Sequence, residues 1–253
     1  MLSMERMGAV AVVTLSRPPA NACNQELAAR FEGALDEVAK DKAVSVLHIR
    51  SDQKIFCAGA DLALMRSCFS SPEGTGAMLE LVRRLQLLFE RIETAPLVSI
   101  AEIGGAALGG GLELALACDL RVAAVEAKLG LPEVRLGLLP GAGGTQRLAR
   151  LCGHATAKRL ILGAEILDGA QAERLGIVQW SRPRQELAEW ARELAKHLAS
   201  MPAEALAGAK RCIAAAADPA RDGFAEELSA TRQLYSNPES RRRVAEFLDR
   251  SAS

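Results

Sequence analysis

Two glutamates and a run of glycines are the residues of this chain that could do chemistry together. Glu113 follows directly on Gly109-Gly110-Gly111-Leu112, Glu133 sits in Leu131-Pro132-Glu133-Val134, and Phe56-Cys57-Ala58-Gly59-Ala60-Asp61 lies upstream. Glycines ahead of a helix leave main-chain N–H groups open to a developing oxyanion, and a pair of carboxylates can take up and release protons. Addition of water across an activated double bond requires both parts.

Each part also has a plainer reading. The run from Gly104 to Gly111 leads into Leu112-Glu113-Leu114-Ala115-Leu116-Ala117 and could be a tight turn that lets a helix pack closely. It is no nucleotide motif, since it lacks G-x-G-x-x-G and has Gly110 where a P-loop needs lysine. Asp61 is placed to cap a helix begun by Leu62-Ala63-Leu64-Met65, and the small residues before it leave the Ala60 N–H accessible. A glycine turn with a cap would explain that segment alone; a two-donor hole needs two such turns. Glu113 could be a first-turn carboxylate favoured by its own helix dipole, and Glu133 could pair with Arg135 or Arg147 on the surface.

These residues need a scaffold, and the first half of the chain alternates short branched runs with helical periodicity. Val10–Leu15, Val44–Ile49 and Leu97–Ala101 read as strands, with further short strands expected near Arg121–Ala124 and Gly176–Gln179. Gln25 to Lys40 reads as a helix, and Met78, Val82, Leu85, Phe89 and Ile92 form the apolar stripe of a second. Such βα alternation predicts an α/β core of parallel strands covered by helices. From residue 184 the texture changes to segments 184–199, 203–217, 220–235 and 239–250, rich in Ala, Leu, Glu and Arg and each following a proline-marked break. The expected organisation is thus a core over 1–183 and a helical region over 184–253. The stretch Ser67 to Gly76, with its serines, proline and glycines, is expected to be a mobile loop near the site.

Composition narrows the partner. The 253 residues carry 31 Lys+Arg and 31 Asp+Glu, so no global field favours nucleic acid or an anionic membrane, and a small molecule is the better expectation. The six cysteines form no C-x-x-C pair and the N-terminal residues lack a signal-type apolar stretch, so reduced thiols in a cytoplasmic setting are expected. The most apolar window, Ala106 to Leu120, contains Glu113 and Asp119 and is too short to span a bilayer. There is no G-x-S-x-G elbow or H-E-x-x-H, and His48, His154 and His197 are too dispersed for a zinc site, so no metal is expected. The cluster Arg241-Arg242-Arg243, with Glu239 and Glu246 nearby, reads as a solvated face.

Through Phe56–Leu62, Gly109–Glu113, Leu131–Glu133 and Pro140-Gly141-Ala142-Gly143-Gly144-Thr145-Gln146-Arg147-Leu148, the chain resembles the crotonase superfamily, specifically its enoyl-CoA hydratases, essentially end to end. The resemblance implies a spiral of ββα turns followed by a helical trimerisation region, and a homotrimer or dimer of trimers. It implies oxyanion donors at the N–H groups of Ala60 and Gly110, and catalytic carboxylates at Glu113, taking the proton of water, and Glu133, supplying the α-carbon. It places coenzyme A, which is part of the acyl-CoA substrate and not a separate cofactor, near Ala22, Lys54, Ala58, Ala60, Asp61 and Leu62, with Phe247 and Arg250 from the last helix. Ala63 departs from the family pattern, where a lysine often serves the 3′-phosphate, so the expectation is either weaker affinity for that phosphate or more reliance on Lys54 and Arg250. Two other readings stay open at this point: isomerisation or other enolate chemistry on an acyl-CoA, and acyl-CoA binding without turnover.

Overall fold

Branched apolar runs build the central sheet. In the computed structural model, which describes residues 1–251, β1 (Leu2–Met7) and β2 (Val10–Leu15) pair antiparallel. Helix α1 (Gln25–Lys40) then leads to β3 (Val46–Ser51), parallel to β2. Helices α2 (Leu62–Cys68) and α3 (Pro72–Thr94) precede β4 (Val98–Ile103), parallel to β3. A two-residue β5 (Ala107–Leu108), α4 (Gly110–Ala117) and β6 (Leu120–Ala124) follow, then β7 (Lys128–Gly130) and a 3-10 turn over Glu133–Leu136. Next come α5 (Gly144–Leu162), kinked at Gly153, β8 (Leu167–Asp168), α6 (Gly169–Arg174) and β9 (Trp180–Arg182). The chain ends in α7 (Arg184–Ala199), α8 (Ala203–Ala215), α9 (Gly223–Ser236) and α10 (Pro238–Ser251). Positions 252 and 253 of the expected helical region lie outside the described residues.

The strands assemble into a six-stranded sheet of order β1-β2-β3-β4-β6-β9 and a three-stranded sheet of order β5-β7-β8. β2 is buried at every position, as a run covered on both faces must be. One face receives Leu27, Phe31, Leu35 and Val38 of α1 with Leu81, Leu85, Phe89 and Ile92 of α3. On the other, Ala195 of α7 packs with Val10, Val12, Val46 and Ile100. Lys210 ties α8 to this core, its Nζ donating to Asp119 Oδ2 at 2.8 Å and to Leu97 O at 2.9 Å. Among the described residues no helix is long and apolar enough to cross a membrane.

Several elements differ from the sequence expectation. The strand expected at Gly176–Gln179 forms at Trp180–Arg182 instead; Ile177 and Val178 are buried as a bend whose carbonyl, at Ile177, accepts from Arg121 Nε. The N–H of Ile177 goes back to Ala172 O in α6 rather than to a neighbouring strand, so apolar residues there fill space without forming a ladder. The stretch Ser67–Gly76 is not a loop: α2 runs to Cys68, Ser71 caps α3 by accepting from the Gly74 N–H, and Pro72 begins that helix. The buried face of α3 is also rotated, with Leu81 and Leu88 inside while Met78 and Val82 are half-buried. The edge strand β1, β5, β7 and β8 had no counterpart in the sequence reading.

Candidate active site

Three loop segments run side by side where the strands end. Isolated bridges join Cys23 to Ala60 and Cys57 to Ala107, so the segment before α1, the Phe56–Asp61 turn and the approach to α4 form one surface. Asn21 pins the middle segment: its buried Nδ2 donates to Phe56 O at 2.9 Å and to Ser51 Oγ at 2.8 Å. Asp61 caps α2 by accepting from the N–H groups of Ala63 and Leu64, and its other oxygen takes Arg17 Nη2 at 2.6 Å. The Arg17 guanidinium and the two N–H donors hold the Asp61 carboxyl below the usual range against the opposing effect of burial.

The two turns expected to supply main-chain donors meet here. Gly59 has φ of 90°, a conformation that favours glycine, and a Cβ on it would lie 3.3 Å from the Gly110 nitrogen and 2.9 Å from Leu108 O. Around them the amides are used: Cys57 N–H goes to Ala106 O, Ala58 N–H to Ala20 O, Asp61 N–H to Cys23 O and Gly109 N–H to Gly130 O. Among the described hydrogen bonds none uses the N–H of Ala60 or of Gly110. Gly110 opens α4, where an N–H has no intrahelical acceptor and the helix dipole favours negative charge.

Glu113 stands one turn into α4 and is 3% exposed. Its carboxylate does not cap its own helix. Oε1 accepts from Ala142 N–H at 2.8 Å and from Gly144 N–H at 2.7 Å, donors that belong to the turn opening α5. Its Oε2 faces Gly110, 4.0 Å from where a Cβ on that glycine would be. Burial pushes the Glu113 carboxyl up to about 7, with the Glu133 charge adding to it and the two N–H donors opposing. Glu133 heads the 3-10 turn with its Oε1 2.8 Å from the Cβ position of Gly109, and its buried Oε2 has no hydrogen-bond partner. Burial raises its pKa as well. It pairs with neither arginine suggested by the sequence: Arg135 donates to Ala164 O, and Arg147 to Glu93 and Ala142 O.

The structure thus gathers Glu113, Glu133, Ala60 and Gly110 around one glycine turn. Ala58, Ala60 and Leu62 are exposed on the rim of that turn, Asp61 and Ala22 are half-buried beside it, and Lys54 is exposed just upstream. Phe247 and Arg250 stand apart: both are exposed on α10, which packs against α9, and no described hydrogen bond joins them to the rim. The Ala142 and Gly144 donors were not anticipated, although glycines directly before a helix are the same signal that marked Gly109–Gly111. Asn21, with φ of 49°, lies in the resembling Asn21-Ala22 stretch, but its role in pinning the Phe56–Asp61 turn was not anticipated.

The model of the enoyl-CoA hydratase/isomerase family matches residues 5–252. The chain belongs to that family. Within it, the chain is 43% identical over 199 residues to a probable enoyl-CoA hydratase of Bacillus subtilis, covering 78% of this chain and 76% of that protein. It is 45% identical over 159 residues to the mitochondrial methylglutaconyl-CoA hydratase of Rattus norvegicus, covering 62% of this chain and 49% of that longer protein. A solved enoyl-CoA hydratase from Bacillus anthracis superposes with a TM-score of 0.91 at 32% identity, over 98% of this chain and 96% of that one. The architecture is the crotonase fold, with a mixed α/β core and a C-terminal helical region, and the chain is an enzyme of this family, its named relatives being hydratases.

Proposed function

We propose that this protein is an enoyl-CoA hydratase, adding water across the 2,3 double bond of a 2-enoyl-CoA to give a 3-hydroxyacyl-CoA. The observation that carries the reading is the pair of unlike acids at the glycine turn. Glu113 has one oxygen fixed by two N–H donors and the other facing Gly110, whereas Glu133 has a buried oxygen with no partner. Burial raises both carboxyls, but at Glu113 two N–H donors on Oε1 act against it and at Glu133 the buried Oε2 has no such donor, so within the pair Glu113 is the ionised acceptor and Glu133 the protonated donor.

The chemistry follows from these two states. The N–H groups of Ala60 and Gly110 would take the thioester oxygen, which draws electrons from the double bond and makes the β-carbon electrophilic. Glu113 Oε2 accepts a proton from water as its oxygen bonds to the β-carbon, and the electron pair moves through the α-carbon to the thioester oxygen. Glu133 then delivers its proton to the α-carbon as the enolate collapses, and proton transfer from Glu113 back to Glu133 resets the pair. Ala22, Lys54, Ala58, Ala60, Asp61 and Leu62 offer the coenzyme A surface, with Phe247 and Arg250 contributed by the C-terminal helix, in a homotrimer or dimer of trimers.

The test is hydration of crotonyl-CoA in 18O-labelled water. Label in the β-hydroxyl supports the reading, and migration of the double bond without label replaces it with isomerisation. Because two of the relatives differ in the substrate their names give, the same assay across straight chains of four to sixteen carbons and branched enoyl-CoAs, 3-methylglutaconyl-CoA among them, fixes the acyl group.

A further inference from the structure

The turn that grips Glu113 is itself gripped from α3. Gln86 Nε2 donates to Gly141 O at 2.6 Å, the carbonyl of the same peptide unit whose N–H, on Ala142, reaches Glu113. The next carbonyl, Ala142 O, accepts from Arg147 Nη1 at 3.1 Å. The same guanidinium closes on Glu93, with Nε at 2.9 Å and Nη2 at 2.8 Å from Oε2. The Arg147 side chain is only a tenth exposed, and it fits because residue 143 is glycine: a Cβ there would lie 2.2 Å from Nη1.

We infer that Arg147 is a positioning residue for the hydration, bracing the Ala142–Gly144 turn so that its two N–H groups converge on Glu113 and keep that carboxyl in its proton-accepting form. The inference rests on the hydratase reading for its consequence and on geometry for its mechanism. A guanidinium is a rigid fork that can hold a carbonyl and a carboxylate at once, which an ammonium cannot do in one plane. It is also the cation among the groups that face Glu113. The others are Glu133 from the 3-10 turn and the Cys23 thiol from the segment before α1. Its charge and the hydrogen bonds it braces both act against burial, which otherwise drives Glu113 towards its neutral form.

The test uses Arg147→Met, Arg147→Gln and Arg147→Lys in the full-length protein. The Glu113 carboxyl is titrated by 13C NMR with side-chain-labelled glutamate, its resonance assigned by Glu113→Gln, and kcat/KM for crotonyl-CoA is followed against pH. Arg147→Met and Arg147→Gln are expected to move the Glu113 titration and the rising limb of kcat/KM upward together by about half a pH unit or more, with KM little changed. Arg147→Lys keeps the charge, so it restores most of the titration while kcat stays below wild type. A titration and limb that stay in place in both neutral variants, with activity lowered by one factor at every pH, would overturn the inference. Arg147→Gln, whose amide nitrogen stands about where Nε donates to Glu93, decides the matter if Arg147→Met does not fold. The NMR titration needs no turnover, so a displaced titration in a protein that hydrates no enoyl-CoA would uphold the bracing and reject the hydratase reading.

Discussion

Replacing Glu113 with glutamine should cut turnover steeply and stabilise the protein, and the stabilisation should depend on pH. Glutamine keeps an acceptor for the Ala142 and Gly144 N–H groups but carries no charge, so it resembles the protonated acid. The Glu113 carboxyl rises from 4.5 to about 7 in the folded protein. At about 1.4 kcal/mol per tenfold change, that displacement makes the wild type lose about 3 kcal/mol of stability on going from below the unfolded value to above the folded one. Below pH 4.5 both states hold the proton and the variant gains nothing. The gain opens between pH 4.5 and 7, where the unfolded chain has released its proton and the folded one has not, and it levels off above 7. For a chain of this size about 3 kcal/mol corresponds to roughly 6–12 °C in Tm. Urea unfolding of both proteins at one protein concentration, at pH 4.5, 6 and 8, measures it. A variant whose advantage is the same at all three pH values, or absent at pH 8, refutes the claim that burial raises this carboxyl.

Kinetic predictions follow from the same geometry. Glu113→Gln and Glu133→Gln should each lower kcat by about 10²–10⁴-fold, and the double variant should be little worse, because the acids act as a unit; independent, multiplying losses in stopped-flow rates would refute this. The wild-type kcat/KM for crotonyl-CoA should rise with pH through about 7 as Glu113 ionises, and Glu113→Gln should lose that limb. Gly109→Ala would set a methyl 2.8 Å from Glu133 Oε1 at a backbone with φ of 52°, so kcat should fall by at least tenfold while circular dichroism stays native. Lys54→Ala should raise KM several-fold for acyl-CoA with kcat unchanged, an effect that shrinks with added salt; a changed kcat would place Lys54 closer to the reacting carbons.

The acids were legible because both are carboxylates in apolar or glycine-rich surroundings, which composition alone marks as unusual. Their support was not. Ala142 and Gly144 are 29 and 31 positions from Glu113 and meet it only through tertiary packing of α5 on α4. The four C-terminal helices were readable because prolines mark each break, and α1 because its apolar residues keep one period. Ser71-Pro72 misled because the residues that make turns also start helices, and hydrogen bonding rather than composition decides between them. Ile177 and Val178 misled because burial and strand pairing share one apolar signal. The strands β5, β7 and β8, two or three residues each, fall below the length at which alternation can be read.

The donors offered by residues 60 and 110 are peptide nitrogens, whereas the acids at 113 and 133 are side chains. Point substitutions reach the two sets unequally. A codon change can remove or exchange an acid in one step, but a peptide nitrogen persists under almost any replacement and is lost only when the path of the chain changes. On the proposed hydratase reading, grip on the carbonyl and choice of reaction are therefore separately inheritable, so a lineage built on this frame could trade hydration for another fate of the same enolate while its hold on the thioester stays intact.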